Sequence, residues 1–80
     1  MMLYRTARTL ARLTVRELAA EADVSTATIT KLENGKDLKP ATLHKIRTVL
    51  EEHGVEFIPH KRWAEWVQPR FGGKRDDSRQ

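Results

Sequence analysis

Apolar and polar positions over the first 54 residues alternate with the period of an α-helix. Four such segments follow one another, and they predict short helices over roughly residues 2–11, 15–22, 26–34 and 40–53. The buried stripes are predicted to comprise Leu3, Ala7, Leu10 and Ala11, then Val15, Leu18, Ala19 and Ala22, then Ile29 and Leu32, and finally Leu43, Ile46 and Leu50. Each helix is too short to be stable alone, so the four should share one core.

Local signals place the helix ends. Thr14 and Glu17 have the spacing of a capping box at the start of the second helix. Asp23 suits a tight turn because aspartate enters the left-handed region at modest cost, and Ser25 is a good N-cap for the third helix. The remaining boundaries are predicted at Gly35, Pro40 and Gly54.

The pattern changes after Gly54. Residues 55–58 alternate and are β-prone, so we predict one short strand that Pro59 ends. In residues 60–71, Trp63, Trp66 and Val67 would share a face in a short helical turn, which Pro69 limits. Residues 72–80 are polar and charged, and we expect a disordered tail. The prediction is an all-α fold of four to five short helices with a C-terminal strand and aromatic arm, divided at residues 1–54, 55–71 and 72–80.

Composition narrows the class of protein. Eighty residues form one small domain of modest stability, which such chains often supplement by self-association. The formal net charge is +4 and the sequence pI is near 9.9, which suits nucleic acid but also plain solubility. Residues 61–80 hold six basic and three acidic side chains, so most of the excess lies in the arm. No apolar run reaches the ~18 residues of a membrane span.

The chain contains no cysteine, which excludes disulfides and fits a reducing cytoplasm. Its first 16 residues carry four arginines and no acid, as organelle transit peptides do, but their removal would strip the predicted core. His44, His53 and His60 lack metal-ligand spacing, and we expect solvated histidines. No constellation of catalytic residues occurs, so we predict no enzyme, no metal and no cofactor.

The second and third helices with the turn between them form a unit that can enter a DNA major groove. The third helix has one apolar edge, with Ile29 and Leu32, and one edge of small polar side chains. Such a helix can approach base edges closely, because a groove about 12 Å wide admits one helix with its side chains. The outward set, predicted to contact bases, is Thr26, Ala27, Thr28, Thr30 and Lys31.

The segment LTVRELAAEADVSTATITKLENGK, with its flanking helices, resembles the Cro/CI-type (XRE-like) helix-turn-helix family of phage and bacterial repressors over roughly residues 4–54. The resemblance implies an all-α domain that binds a two-fold operator as a dimer. Thr26, Ala27 and Lys31 align with base-contacting positions, which Thr28 and Thr30 flank. Expected phosphate contacts are Ser25, Asn34 and Lys36, extended to Thr14, Arg16 and Lys39. Arg8 and Glu33 match a buried ion pair of several family members.

The sequence departs from the family pattern in three places. Val15 stands where the family often has a glutamine that touches the DNA backbone, so one contact is lost or replaced by packing. Arg12 and Asp23 replace common glycines at two turns, where the local backbone is therefore in question. The tail from His60 has no family pattern.

The arm is predicted to form a homodimer, because its apolar side chains look surplus to a closed helical core and a strand edge invites pairing. The expected interface comprises Val55, Phe57, Ile58, Trp63 and Trp66. The alternative is a lid on the same subunit. The basic side chains of Lys61, Arg62, Arg70, Lys74 and Arg75 could also reach flanking phosphates.

The predicted function is a repressor acting on double-stranded DNA in the bacterial or phage-infected cytoplasm, associated with the nucleoid. Three alternatives remain at this point. The chain could be an antitoxin whose arm covers a toxin while the helices bind DNA. It could be a protein-binding antiactivator, or the four helices could be purely structural. A toxin-encoding neighbour would favour the first of these, and loss of activity on arm mutation without DNA binding would favour the second.

Overall fold

A computed structural model describes residues 3–60 and 64–70 of the chain. Trp63 and the expected tail of residues 72–80 lie outside this part. The elements are α1 (Leu3–Leu10), α2 (Val15–Ala22), α3 (Thr26–Glu33), α4 (Pro40–Glu52), β1 (Val55–His60) and β2 (Ala64–Pro69). The fold is mostly helical with a C-terminal hairpin, as the fold class predicted.

The helices begin and end within one or two residues of the predicted positions because the capping side chains act as expected. The Thr14 hydroxyl accepts the amide of Glu17 at 3.0 Å, and the Glu17 carboxylate accepts the amide of Thr14 at 2.8 Å. The Ser25 hydroxyl accepts the amide of Thr28 at 3.1 Å. These bonds satisfy amides that the first turns of α2 and α3 leave without an intrahelical acceptor.

The core lies where the predicted apolar stripes meet. Its fully buried large side chains are Leu18, Ile29, Ile46, Leu50 and Val55. Val55 belongs to β1, so the expectation that the helical core closes without the arm is wrong. The first residue of the strand fills a space that the helices alone leave open, and it is not available as an exposed interface side chain.

Residues 64–69 form a second strand, so the predicted helical turn around Trp66 and Val67 is wrong. β2 pairs with β1 in antiparallel register, which sets Ile58 opposite Trp66 and Phe57 opposite Val67. A lone β1 would leave a row of unpaired backbone groups, and the pairing with β2 satisfies one side of that row. Pro59 does not end β1, which continues to His60.

The hairpin has one face on the helices and one face in solvent. Val55, Phe57 and Val67 pack toward the core, whereas Ile58 and Trp66 lie on the opposite face. The amide of Arg70 donates to the carbonyl of Gly54, which makes these two residues a hydrogen-bonded pair. In an antiparallel ladder hydrogen-bonded pairs recur at every second residue of each strand, counted here from Gly54 and Arg70. Pro59 and Pro69 therefore fall at positions whose backbone nitrogens point away from the partner strand.

Arg47 of α4 anchors the hairpin. Its guanidinium donates to both carboxylate oxygens of Glu65 in β2, at 2.8 and 2.9 Å, and to the hydroxyl of Tyr4 in α1 at 3.2 Å. The same group lies 4.2 Å from the centre of the Phe57 ring. The hydrogen bonds with Glu65 raise the pKa of Arg47 above its usual value, and the bonds from Arg47 lower the pKa of Glu65. One arginine of α4 thus contacts three other elements, α1, β1 and β2.

Candidate nucleic-acid interface

The unit formed by α2, α3 and their short connection carries the candidate interface. Asp23 ends α2 with φ 59° and ψ 48°, in the left-handed region, as predicted for this turn. Half-buried Val24 packs against the core and fixes the connection from below. Ser25 then caps α3. The turn therefore holds the two helices in one fixed relation.

The two sides of α3 are clearly separated. Ile29, Leu32 and Glu33 are buried. Thr26, Ala27, Thr30 and Lys31, at spacings of one, four and five residues along the helix, are all exposed. The face with small side chains and one lysine thus points to solvent, where a duplex could lie against it.

Thr28 differs from the other predicted base contacts. It is half-buried, its amide donates to the Ser25 hydroxyl, and its own hydroxyl lies 2.9 Å from that of Ser25. The Thr28 hydroxyl therefore completes the cap of α3 at the edge of the exposed face. Its methyl group makes no hydrogen bond and stays available to a ligand.

Arg8 and Glu33 form an ion pair that holds the end of α3. The Arg8 guanidinium donates to the two carboxylate oxygens of Glu33 at 2.6 and 3.2 Å, and to the carbonyl of Leu13 at 3.1 Å. The bond to Glu33 raises the pKa of Arg8. Glu33 is only 7% exposed, and Arg5 approaches it at 3.7 Å. A buried carboxylate requires such partners. The pair therefore fixes the orientation of α3 relative to α1.

All six side chains expected at phosphates are exposed. They lie at the starts of α2 and α3 and in the segment that follows α3, and they are Thr14, Arg16, Ser25, Asn34, Lys36 and Lys39. The oxygens of the two cap residues accept helix amides. Hydroxyl groups can still donate to an anion while they accept.

Several contacts of the described residues escaped the sequence prediction, among them one of Arg47 and one of His53. Arg47 binds Glu65 across 18 residues, a separation with no local pattern. His53, expected to be a solvated histidine, lies 2.8 Å from the Glu21 carboxylate and joins the ends of α4 and α2. Within residues 3–60 and 64–70, the acidic and histidine side chains form no group that could hold a metal ion.

A membrane span is likewise absent from the described part, where every helix is too short or too polar to cross a bilayer.

The helix-turn-helix family model HTH_3 matches residues 5–57 of the chain. The protein belongs to this helix-turn-helix family, of the XRE type, and the match supports a role in regulating transcription by binding DNA. The α2–α3 unit is its helix-turn-helix.

The chain is also similar to the uncharacterized HTH-type transcriptional regulator RghRB of Bacillus subtilis (strain 168). The two are 50% identical over 42 residues, a segment that covers 50% of this chain. The same segment is 30% of the length of RghRB, so the likeness concerns only part of that relative.

Proposed function

We propose that this protein is a sequence-specific repressor that binds a two-fold operator as a dimer, with α3 in the major groove. The observation that carries the proposal is the exposed face of α3, which presents three small side chains and Lys31 to solvent. A repressor needs no more than this, because occupying a promoter blocks it.

Base recognition follows from the chemistry of that face. Lys31 can donate to the O6 and N7 acceptors of guanine, which share the major-groove edge of that base. The methyl groups of Thr26, Ala27 and Thr30 can pack against thymine methyls. Each good contact of this kind discriminates by about 1–3 kcal/mol. The preferred site should therefore combine thymine-rich positions with a guanine in each half.

Phosphate contacts should supply much of the affinity, because the face of α3 has few long polar side chains. For six to ten neutralised phosphates, binding weakens by about 10³–10⁵-fold between 50 and 200 mM salt. The expected signature is steep salt dependence, with single base changes at contacted positions costing about 1–3 kcal/mol.

The test is selection of duplexes from a random library, followed by affinity measurements on the enriched sequence and its single-base variants. Lys31→Ala should weaken binding to the enriched duplex and relax specificity at the guanine position. Lys45→Ala removes another exposed lysine, from α4, and serves as the matched control. A Lys31→Ala chain with the specificity of the wild type would refute the base-reading role.

We further propose that dimers form through the outer face of the hairpin. Trp66 is the large apolar side chain most exposed in the described part, at 53%, and Ile58 lies opposite it in the register. Tryptophan is a favoured interface anchor. Val55 and Phe57, also expected at the interface, pack on their own subunit, so the interface is reduced to this outer face.

Sedimentation of a Trp66→Thr variant tests the dimer. Threonine keeps the β propensity of the strand but removes the aromatic surface, so the dimer should weaken while the fold persists. Trp66→Phe retains a ring and is the control. Truncation after Gly54 is unsuitable because it removes buried Val55. Unchanged self-association of Trp66→Thr would exclude this face.

A further inference from the structure

The turn between α1 and α2 carries an arginine in an unfavourable backbone conformation. Arg12 has φ 60°, in the left-handed region of the backbone. Residues other than glycine, asparagine and aspartate rarely enter this region. Among the described residues, the Arg12 side chain has no hydrogen-bond or ion-pair partner, in contrast to Arg8 and Arg47. Within that part of the chain, the local strain is therefore not offset by a hydrogen bond or ion pair of the side chain.

A second cation near this turn is also locally unfavourable. Arg16 lies in the first turn of α2, near the positive end of the helix dipole, where acidic side chains are preferred. It is exposed and has no partner among residues 3–60 and 64–70. The nearest carboxylate along the helix, Glu17, is already bonded to the amide of Thr14. Two guanidinium groups without a hydrogen-bond or ion-pair partner among the described residues thus lie at one turn, each in a locally unfavourable position.

The turn lies beside the end of α3. The single guanidinium of Arg8 donates both to the carbonyl of Leu13, next to Arg12, and to the carboxylate of Glu33. It thereby links the turn to the residue that precedes Asn34, an expected phosphate contact. In helix-turn-helix complexes the first helix of the motif, here α2, crosses the DNA backbone while the second lies in the groove. The turn that leads into α2 is therefore near phosphates.

We infer that Arg12 contacts a DNA phosphate and extends the interface across the α1–α2 turn, a role that rests on the proposed function. Neither composition nor helix pattern singles out this residue. The structure does so by its left-handed backbone, by its place beside Arg8 and by a guanidinium that has no hydrogen-bond or ion-pair partner among the described residues. The contact is independent of base sequence, because a phosphate carries no sequence information.

The experiment measures the affinity of the full chain for the enriched duplex by fluorescence anisotropy between 50 and 400 mM NaCl. The slope of log K against log[NaCl] is negative, and Arg12→Gly and Arg12→Gln should each make it less steep by about 0.9 per bound chain. That change corresponds to about eightfold weaker binding at 0.1 M salt if the affinities converge near 1 M. Arg12→Lys keeps the charge and should keep the slope.

Lys45→Gln provides the matched control, because Lys45 is an exposed cation on α4, outside both the α1–α2 turn and the α2–α3 unit. Arg12→Gly relieves strain and should not lower the melting temperature, yet only the variants that remove the charge of Arg12 should lose affinity. Wild-type slopes for Arg12→Gly and Arg12→Gln, or an equal loss for Lys45→Gln, would overturn the inference alone. A wild-type chain that enriches and binds no duplex would overturn the proposed function as well.

Discussion

The molecule has a helical region, residues 3–53, and a hairpin region, described for residues 54–60 and 64–70. Each region is held by an arginine that donates two hydrogen bonds to a glutamate. Arg8 and Glu33 tie α1 to α3, and Arg47 and Glu65 tie α4 to β2. The two pairs differ in depth. The Glu33 side chain is 6% exposed and that of Glu65 is 34% exposed. Depth decides how much a lost partner costs, because water can replace a partner only where it reaches.

This contrast teaches that the two regions depend on their ion pairs in different ways. Removal of Arg8 leaves a carboxylate that solvent can barely hydrate, so the helical region must distort or unfold. Removal of Arg47 leaves a carboxylate that solvent can reach, and the hairpin retains the buried side chain of Val55 as an anchor. The exposed face of α3, the candidate interface, is therefore held in place by the Arg8–Glu33 pair, the one whose carboxylate depends more on its partner.

The largest effect is expected for Arg8→Ala. Because it strands the buried carboxylate of Glu33, it should lower the free energy of unfolding by about 3–5 kcal/mol, measured by urea titration. Arg8→Met with Glu33→Leu removes both charges and should recover most of the loss. A single variant that costs less than about 1 kcal/mol would show that the nearby Arg5 can replace Arg8.

The next effect compares two side chains of β1 that point to opposite faces. Val55→Ala removes buried methyl groups and opens a cavity, so it should cost about 2 kcal/mol. Ile58→Ala, on the solvent face, should cost less than about 0.5 kcal/mol in the monomer. Chemical denaturation of both variants at low protein concentration checks the difference. Equal losses would contradict the assignment of faces.

The smallest effect concerns the exposed pair. Glu65→Gln should cost about 1 kcal/mol at neutral pH, because solvent screens a pair of this exposure. The pKa of Glu65 is lowered from 4.5 in the folded chain, so the pair contributes stability above that pH and loses it as pH falls through the lower folded value. The difference in melting temperature between wild type and Glu65→Gln should therefore vanish at acid pH. A difference that persists there would contradict the role of the charge.

Local chemistry made the helical region predictable. Its helix ends depend on residues that are close together in the sequence. These are the capping box at Thr14, the cap at Ser25 and the left-handed turn at Asp23. The Arg8–Glu33 pair spans 25 residues, and it came only from the family resemblance.

The hairpin region was less predictable because its contacts are distant in sequence. Trp63 and Trp66 are three residues apart, a spacing that suits a helical turn, and nothing local shows that β1 needs a partner strand there. Arg47 has Glu51 four residues ahead on its own helix, so its choice of Glu65 is set by the packing of the hairpin. Phosphate and base contacts remain predictions from α3 and its surroundings.

The prolines of the hairpin have a consequence for the protein at high concentration. A small sheet with two open sides is a template on which identical copies can stack into fibres. With Pro59 and Pro69 in outward positions, each side lacks one of the amides that a stacking copy would bond to. One missing amide on each side disfavours growth of the sheet into long strand-bonded polymers.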